Sequence, residues 1–369
     1  MTDPLLRYKI GISLITGLGP VNTRKIVSKL GSVEAIFSEK KRSLLKISGV
    51  GNLLANNIIN QKVLARADEE IAFINKNGIS CFFLLDDDFP YRLKQCTDTP
   101  IVIYAKGNVD LNRRKILSVV GTRKASQYGI SNCEKLIIDL AKHRDELIIV
   151  SGLAYGIDIC AHKTALANDI PTVAVLGHGL DMLYPSMHQQ VATQMKSKGA
   201  LISDFPSASK LDPKNFVRRN RIIAGLADAT IVIESAAKGG SLITADIAES
   251  YNRDVFTFPG RVNDSYSKGC HYLIKTNRAA LIENAEDLEF MLSWDIDKKK
   301  STAVQQKLFS NLSSDEQEVL SLLREYGELA IDLISMKTKL PGNKVSSLLL
   351  SLEFAGFVKP LPGKIFTLI

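Results

Sequence analysis

Four short segments combine the residue types that grip a phosphate or a base. Val119 to Lys124 (VVGTRK) ends an apolar run and precedes a helical pattern. Gly121 permits close backbone approach there. Thr122 and Arg123 add a hydroxyl and a guanidinium to the amide groups of a helix entry, a set that converges on one phosphate. Ser151 and Gly152 repeat the design at the head of SGLAYGIDICAH, with a helix expected from near Tyr155. Lys238 to Ala245 (KGGSLITA) repeats it once more: Gly239, Gly240 and Ser241 lead into a helix, and Thr244 supplies a further hydroxyl. One glycine turn is no more than a strand-to-helix connection needs; three on one sheet point to an anion site.

The fourth segment, KNFVRRNRIIAGL, crowds Lys214, Arg218, Arg219 and Arg221 around Phe216 and Asn220. Charge for a backbone and a flat ring for a base are what single-stranded nucleic acid requires, with stacking worth roughly 1–3 kcal/mol per base. A plainer reading makes this a basic helix packed on the sheet through Ile222, Ile223 and Leu226. Arg219 or Arg221 is then paired with an internal carboxylate such as Asp158 or Glu234.

Other chemistries find little support. The sequence has neither a GxGxxG fingerprint with its ribose-binding acid nor a GxxxxGK[ST] loop. His178 and His188 lack a third ligand at useful spacing. Asp158 and His162, at i and i+4, read as a helix-stabilising pair. Asp86-Asp87-Asp88 reads as a solvated turn. Five scattered cysteines, none spaced as CxxC, read as free thiols in a reducing cytosol. No cofactor, metal or membrane span is expected. The competing enzyme reading is a nucleotide-processing hydrolase of the lysine-decarboxylase-like Rossmann group, with Glu234 or Glu249 as its carboxylate.

These segments need elements to position them. Short apolar strands at Ile116–Val120, Leu147–Val150, Thr172–Leu176, Thr230–Glu234 and Asp254–Phe258 alternate with helical stretches such as Tyr128–Lys142 and Ser241–Asn252. Such alternation predicts an α/β fold with a doubly wound, mostly parallel sheet, whose ligands bind at the carboxyl ends of the strands. Ile79 to Leu85 is a further strand-like run. Residues 1–66 are helical and carry a weak repeat, ITGLGP and ISGVGN, that looks like paired helix-hairpin-helix motifs. Lys25, Lys29 and Lys46 could add charge there. The net charge of +8 is concentrated in this region, since residues 1–80 hold 12 Lys/Arg against 6 Asp/Glu and residues 81–300 hold 28 against 26. Residues 297–312 read as a charged linker. Residues 313–369 read as three helices and a terminal hairpin around Pro362-Gly363, a winged-helix module that is electrically neutral. The expected domains are therefore 1–66, 67–296 and 313–369, joined by the linker.

Read together, VVGTRKASQYG, SGLAYGIDICAH, VLGHGLDMLYP, FVRRNRIIAGLADATIVIES and GGSLITADIAESYNRDVFTFPG resemble the DprA/Smf (DNA-processing protein A) family in order and spacing, from roughly Pro90 to Asp287. The resemblance implies an extended Rossmann-like domain in a non-enzymatic, cytoplasmic homodimer. Its implied role is to bind and protect single-stranded DNA, with double-stranded DNA also open, and to load the recombinase RecA in natural transformation. It places the DNA pocket on Arg123, Ser151, Gly152, Lys214, Phe216 and Arg218 to Arg221, with Ser241 and Thr244 on the glycine-serine turn. Tyr155 stands where the family commonly has Arg, and Gly239 replaces a usual Ser.

Overall fold

Apolar runs with few charges become the strands of one sheet. The computed structural model describes residues 3–142, 146–294, 312–361 and 364–368, which fall into two compact units, Met1–Leu292 and Ser293–Ile369. The first unit holds β1 (Ser80–Phe83), β2 (Val102–Gly107), β3 (Lys115–Val120), β4 (Leu147–Ser151), β5 (Thr172–Val175), β6 (Gly199–Ser203), β7 (Ala229–Val232), β8 (Asp254–Thr257) and β9 (Ala280–Leu281). They form one sheet in the order β1-β2-β6-β5-β4-β3-β7-β8-β9. From β6 across to β9 all neighbours run parallel. β2 runs antiparallel to both β1 and β6.

The chain therefore winds outward from β3 to β6 and then returns to β7 on the other side of β3. That reversal opens a crevice at the carboxyl ends of β3 and β7, the switch point where such sheets bind ligands. The expected α/β class and parallel order hold. β2, β6 and β9 are additions to the predicted set; the first two extend the sheet beyond β5, and β9 closes its other edge. The core joins Ile116, Ile148, Val173, Ile202 and Val232 of the sheet to Ile222, Ile223 and Leu226, so the helix Asn220–Leu226 buries the face that the plainer reading assigned to it.

The helices Leu6–Leu14, Pro20–Leu30, Asn52–Ile59 and Val63–Asn77 cover one end of this sheet. Ile10, Ile26, Ala55 and Ile74 share a core with Phe83, Val102 and Tyr104 of β1 and β2. The expected boundary at residue 66 falls inside the helix Val63–Asn77, whose C-terminus at Gly78 leads directly into β1.

In the second unit, the helices Ser314–Tyr326, Ile331–Thr338 and Gly342–Phe354 pack through Val319, Leu323, Ile334, Val345 and Leu349. β10 (Glu328–Ala330), β11 (Val358–Leu361) and β12 (Ile365–Leu368) form an antiparallel sheet in the order β10-β12-β11. This is the expected winged helix, with β10 as an additional strand. Pro362 and Gly363, and residues 297–311 of the expected linker, lie outside the described residues. Ser313 and Glu316 form a capping box, each satisfying the other's backbone amide. Ser313→Ala is expected to cost this unit about 1 kcal/mol, read as a lower denaturation midpoint of residues 312–369. Among the described residues no helix is long and apolar enough to cross a membrane.

Candidate nucleic-acid interface

A cleft of about 610 Å³ opens at the switch point. Its floor is the end of β3 and the turn that follows: Gly121, Thr122 and Arg123 all line it. Gly121 is required here by packing, because a Cβ on it would stand 2.5 Å from Cγ1 of Ile157. The turn is fixed from both sides, since the Thr122 amide donates to the Glu234 carbonyl at 2.8 Å and its own carbonyl accepts from the Ile157 amide. Arg123 is exposed at the rim, and no hydrogen bond or ion pair engages its guanidinium among the described residues.

The opposite wall comes from the helix Pro213–Arg218, which begins at an Asp212 cap whose side chain accepts from the Lys214 amide. Phe216 lines the cleft, with its ring centroid 5.6 Å from that of Tyr184 and tilted by 59°. Behind it, a Cβ on Gly177 would lie 3.0 Å from the Phe216 ring, so the ring rests against bare backbone. Tyr184 is itself steadied, because its amide donates to Nε2 of the buried His178. Lys214 is exposed on the same helix.

The third side is the entry of the helix Gly240–Ser250. Gly239 occupies its cap without a side-chain bond, so no side chain caps the first-turn amides of a helix entry whose residues line the cleft. Gly240, Ser241 and Thr244 line this side. The Ser241 hydroxyl donates to Ser235 Oγ at 2.9 Å, and Thr244 donates to the Gly240 carbonyl. Lys238 stands exposed beside them.

Arg219 and Asn220 also border the cleft, but the arginine faces inward. It is 4% exposed and donates through Nη1 to the carbonyls of Gly152 (2.6 Å) and Val175, and through Nε to Asn220 Oδ1 (2.9 Å). Burial pulls its pKa down to about 10 against the opposing pull of Asp158. Asp158, also lining the cleft, is raised above the usual carboxylate range by burial, with Arg219 opposing.

Several expected residues are thus committed elsewhere. Ser151 is fully buried and donates to the Val119 carbonyl at 2.6 Å. Gly152 makes room for protein and not for ligand, since a Cβ on it would stand 2.2 Å from Nη2 of Arg219. Arg221 donates to the Asp98 carbonyl and to Asp204. Arg218 lies 3.5 Å from the same carboxylate and over the Phe205 ring. These last two line a separate cavity of about 360 Å³ beside Pro20 and Pro100. The Asp158–His162 helix pair is not made: the imidazole bonds Thr172, and the carboxylate accepts from the Ala154 amide. Both carboxylates of the hydrolase reading are occupied. Glu234 accepts from the amide and hydroxyl of Ser126, and Glu249 accepts from Arg278.

The sequence profile described as DNA recombination-mediator protein A matches residues 80–292, the whole of the sheet and this cleft. The chain belongs to that family. A second profile, the DprA winged helix domain, matches residues 306–364, and the DprA/Smf resemblance is borne out. DNA processing protein DprA of Streptococcus pneumoniae is 40% identical over 207 residues, 56% of this chain and 72% of that protein. Protein Smf of Escherichia coli is 35% identical over 285 residues, covering 74% of each chain. The X-ray structure of the Streptococcus pneumoniae DprA covers 76% of this chain and 96% of that one, with a TM-score of 0.66 and 33% identity. A structure of DNA processing protein A from Helicobacter pylori, described for its single-stranded DNA binding mode, covers 59% of this chain and 96% of that one, with a TM-score of 0.53 and 27% identity.

Within this family's fold the cleft unites Gly121, Thr122, Arg123, Phe216, Arg219, Asn220, Gly240, Ser241 and Thr244. Ser151, Gly152, Arg218 and Arg221 stand apart from it, and Lys214 lies at its edge. Reasoning from strand ends and charge missed Tyr184 and Lys238 as lining residues. Lys238 was legible as the cation heading its glycine turn. Tyr184 follows no strand end, and its only signal is an aromatic before proline in VLGHGLDMLYP.

Proposed function

We propose that this chain binds single-stranded DNA in the switch-point cleft and hands it to the recombinase RecA, acting in the cytosol as a homodimer. The observation that carries the reading is the pairing of an exposed, uncommitted Arg123 with the Phe216–Tyr184 aromatic pair across one cleft. A phosphate meets Arg123, the open amides at Gly240 and the rim charges of Lys238 and Lys214. A base meets a ring face. Nothing in this set distinguishes one base from another, so binding is sequence-tolerant and salt-sensitive. The mediator family and the single-strand binding described for the Helicobacter pylori relative support the same reading. RecA loading rests on the family alone.

Fluorescence anisotropy of a labelled oligo-dT across a salt series tests the cleft. Phe216→Ala is expected to weaken binding by about 1–3 kcal/mol with the salt slope kept. Arg123→Ala is expected to flatten that slope by about one unit. Equal binding by wild type and both variants would remove the site from this cleft. A RecA filament-assembly assay on coated single strand then tests delivery, and failure of wild type to accelerate assembly would reject that part.

A further inference from the structure

Residues 1–66 carry 11 Lys/Arg against 3 Asp/Glu, and the cleft uses none of this excess. The region is built on a repeat of 32 residues, visible as GLGPVNTRKIV and GVGNLLANNII. Gly17 and Gly49, the first glycines of each copy, both adopt a left-handed backbone, with φ of 80° and 93°. Each turn leads into a helix, Pro20–Leu30 in one copy and Asn52–Ile59 in the other.

The two copies contact each other reciprocally. Asn57 Nδ2 donates to the Thr16 carbonyl at 2.9 Å, beside the first turn. Its counterpart one repeat earlier, Lys25, brings Nζ to 3.5 Å from where a Cβ would stand on Gly49 in the second turn. Such exchange is the mark of a local pseudo-dyad relating the turns. Two further features follow the same symmetry or lie beside it. Val21 and Leu53, one repeat apart, are large apolar side chains left 50% and 78% exposed. Lys25, Lys29 and Lys46 are exposed and make no hydrogen bond or ion pair among the described residues. Lys25 and Lys29 repel each other at i and i+4, a spacing that opposes the helix unless an anion covers both.

We propose that this face binds double-stranded DNA, separately from the single-strand cleft. The symmetry selects the ligand. A duplex has local dyads relating its two antiparallel backbones across the minor groove, so a pseudo-symmetric pair of turns meets one strand with each copy. A single strand offers no such dyad. The lysines neutralise phosphates on either side, and Val21 and Leu53 enter the groove between them, as apolar side chains of minor-groove binders do. A second copy of this face is disfavoured by the like charge of its exposed lysines, Lys25, Lys29 and Lys46. Together with the cleft, the face would let the protein hold the junction between duplex and single strand.

The test uses the full-length chain, a labelled duplex closed at both ends by hairpin loops, and oligo-dT as the single strand. Lys25→Ala/Lys29→Ala/Lys46→Ala is expected to flatten the duplex salt slope by about two to three units and to lower duplex affinity about a hundredfold at about 50 mM salt. Oligo-dT binding should stay unchanged. Arg123→Ala should show the converse pattern, so failure of the cleft reading and failure of this one are distinguishable. Val21→Ser/Leu53→Ser should weaken duplex binding with the slope retained. The proposal is overturned if wild type binds no duplex, if the triple variant binds it as wild type does, or if duplex and oligo-dT affinities fall together. Self-association that is lost in Val21→Ser/Leu53→Ser would also overturn it, by assigning the face to a second copy.

Discussion

Arg219→Ala is expected to cost about 3–5 kcal/mol of the first unit's stability, the usual loss when one member of a buried charged set is removed. The guanidinium ties the ends of β4 and β5 together through the Gly152 and Val175 carbonyls and is the cation facing the buried Asp158. Removal leaves two carbonyls buried without their donor and a buried carboxylate without the cation that faces it. Lysine cannot replace it, because the guanidinium gives Nη1 to both carbonyls and Nε to Asn220 at once, and a single ammonium cannot occupy both positions. Gly152→Ala should produce a loss of the same kind by a different route, since its Cβ would stand 2.2 Å from Nη2 and must push the guanidinium off its acceptors. The double variant separates this account from a generic packing defect. With the arginine gone, the added methyl has space, so Gly152→Ala should cost little more in the Arg219→Ala background. Urea denaturation of the four proteins gives the cycle, and strict additivity would reject the clamp.

That clamp marks where sequence reasoning stopped short. β3, β4, β5, β7 and β8 were legible because a strand buried on both faces reads as a near-continuous apolar run, as Leu147 to Val150 does and as Ile116 to Val120 does around Ser118. β6 was not, because GALIS is short, opens on glycine and follows the lysines of a helix end. The site was partly legible for the same reason. Glycine turns after strands fall at the switch point in any doubly wound sheet, and Arg123, Gly240 and Ser241 came with them. The run Arg218, Arg219, Asn220, Arg221 could not be resolved from within. One short break between two helices at Arg219 sends that side chain into the core, Arg218 to the surface and Arg221 to Asp204. The acceptors that decide this lie 67 and 44 residues away along the chain. Gly152 was assigned to close approach of a ligand. It does allow close approach, but of a guanidinium from the same chain.

Acid is expected to weaken the same region through His162. Its ring is fully buried, with Nδ1 2.7 Å from Thr172 Oγ1. Thr172 spends its own proton on the Ile149 carbonyl at 2.9 Å, so Nδ1 carries the hydrogen and Nε2 is left bare, buried and without a partner. Burial, with Arg219 and His188 adding repulsion, holds the imidazole down to about 3. The unfolded chain takes up this proton near pH 6.5 and the folded chain does not. Stability from this group is therefore complete above pH 6.5 and declines as pH falls, by about 2 kcal/mol at pH 5 and further toward pH 3. Asp158 works in the opposite sense, because a carboxyl raised by burial gains stability for the fold as pH drops through its raised value. The wild-type difference between pH 7 and pH 5 is thus the histidine contribution less whatever Asp158 returns. His162→Gln removes the first and keeps the second, so its urea denaturation midpoint should change less, or rise, over that interval. An unchanged pH dependence in the variant would end this account. Arg219 links the two predictions: without its charge the imidazole accepts a proton more readily in the fold, so the Arg219→Ala protein, though weaker at pH 7, should lose less on acidification than wild type.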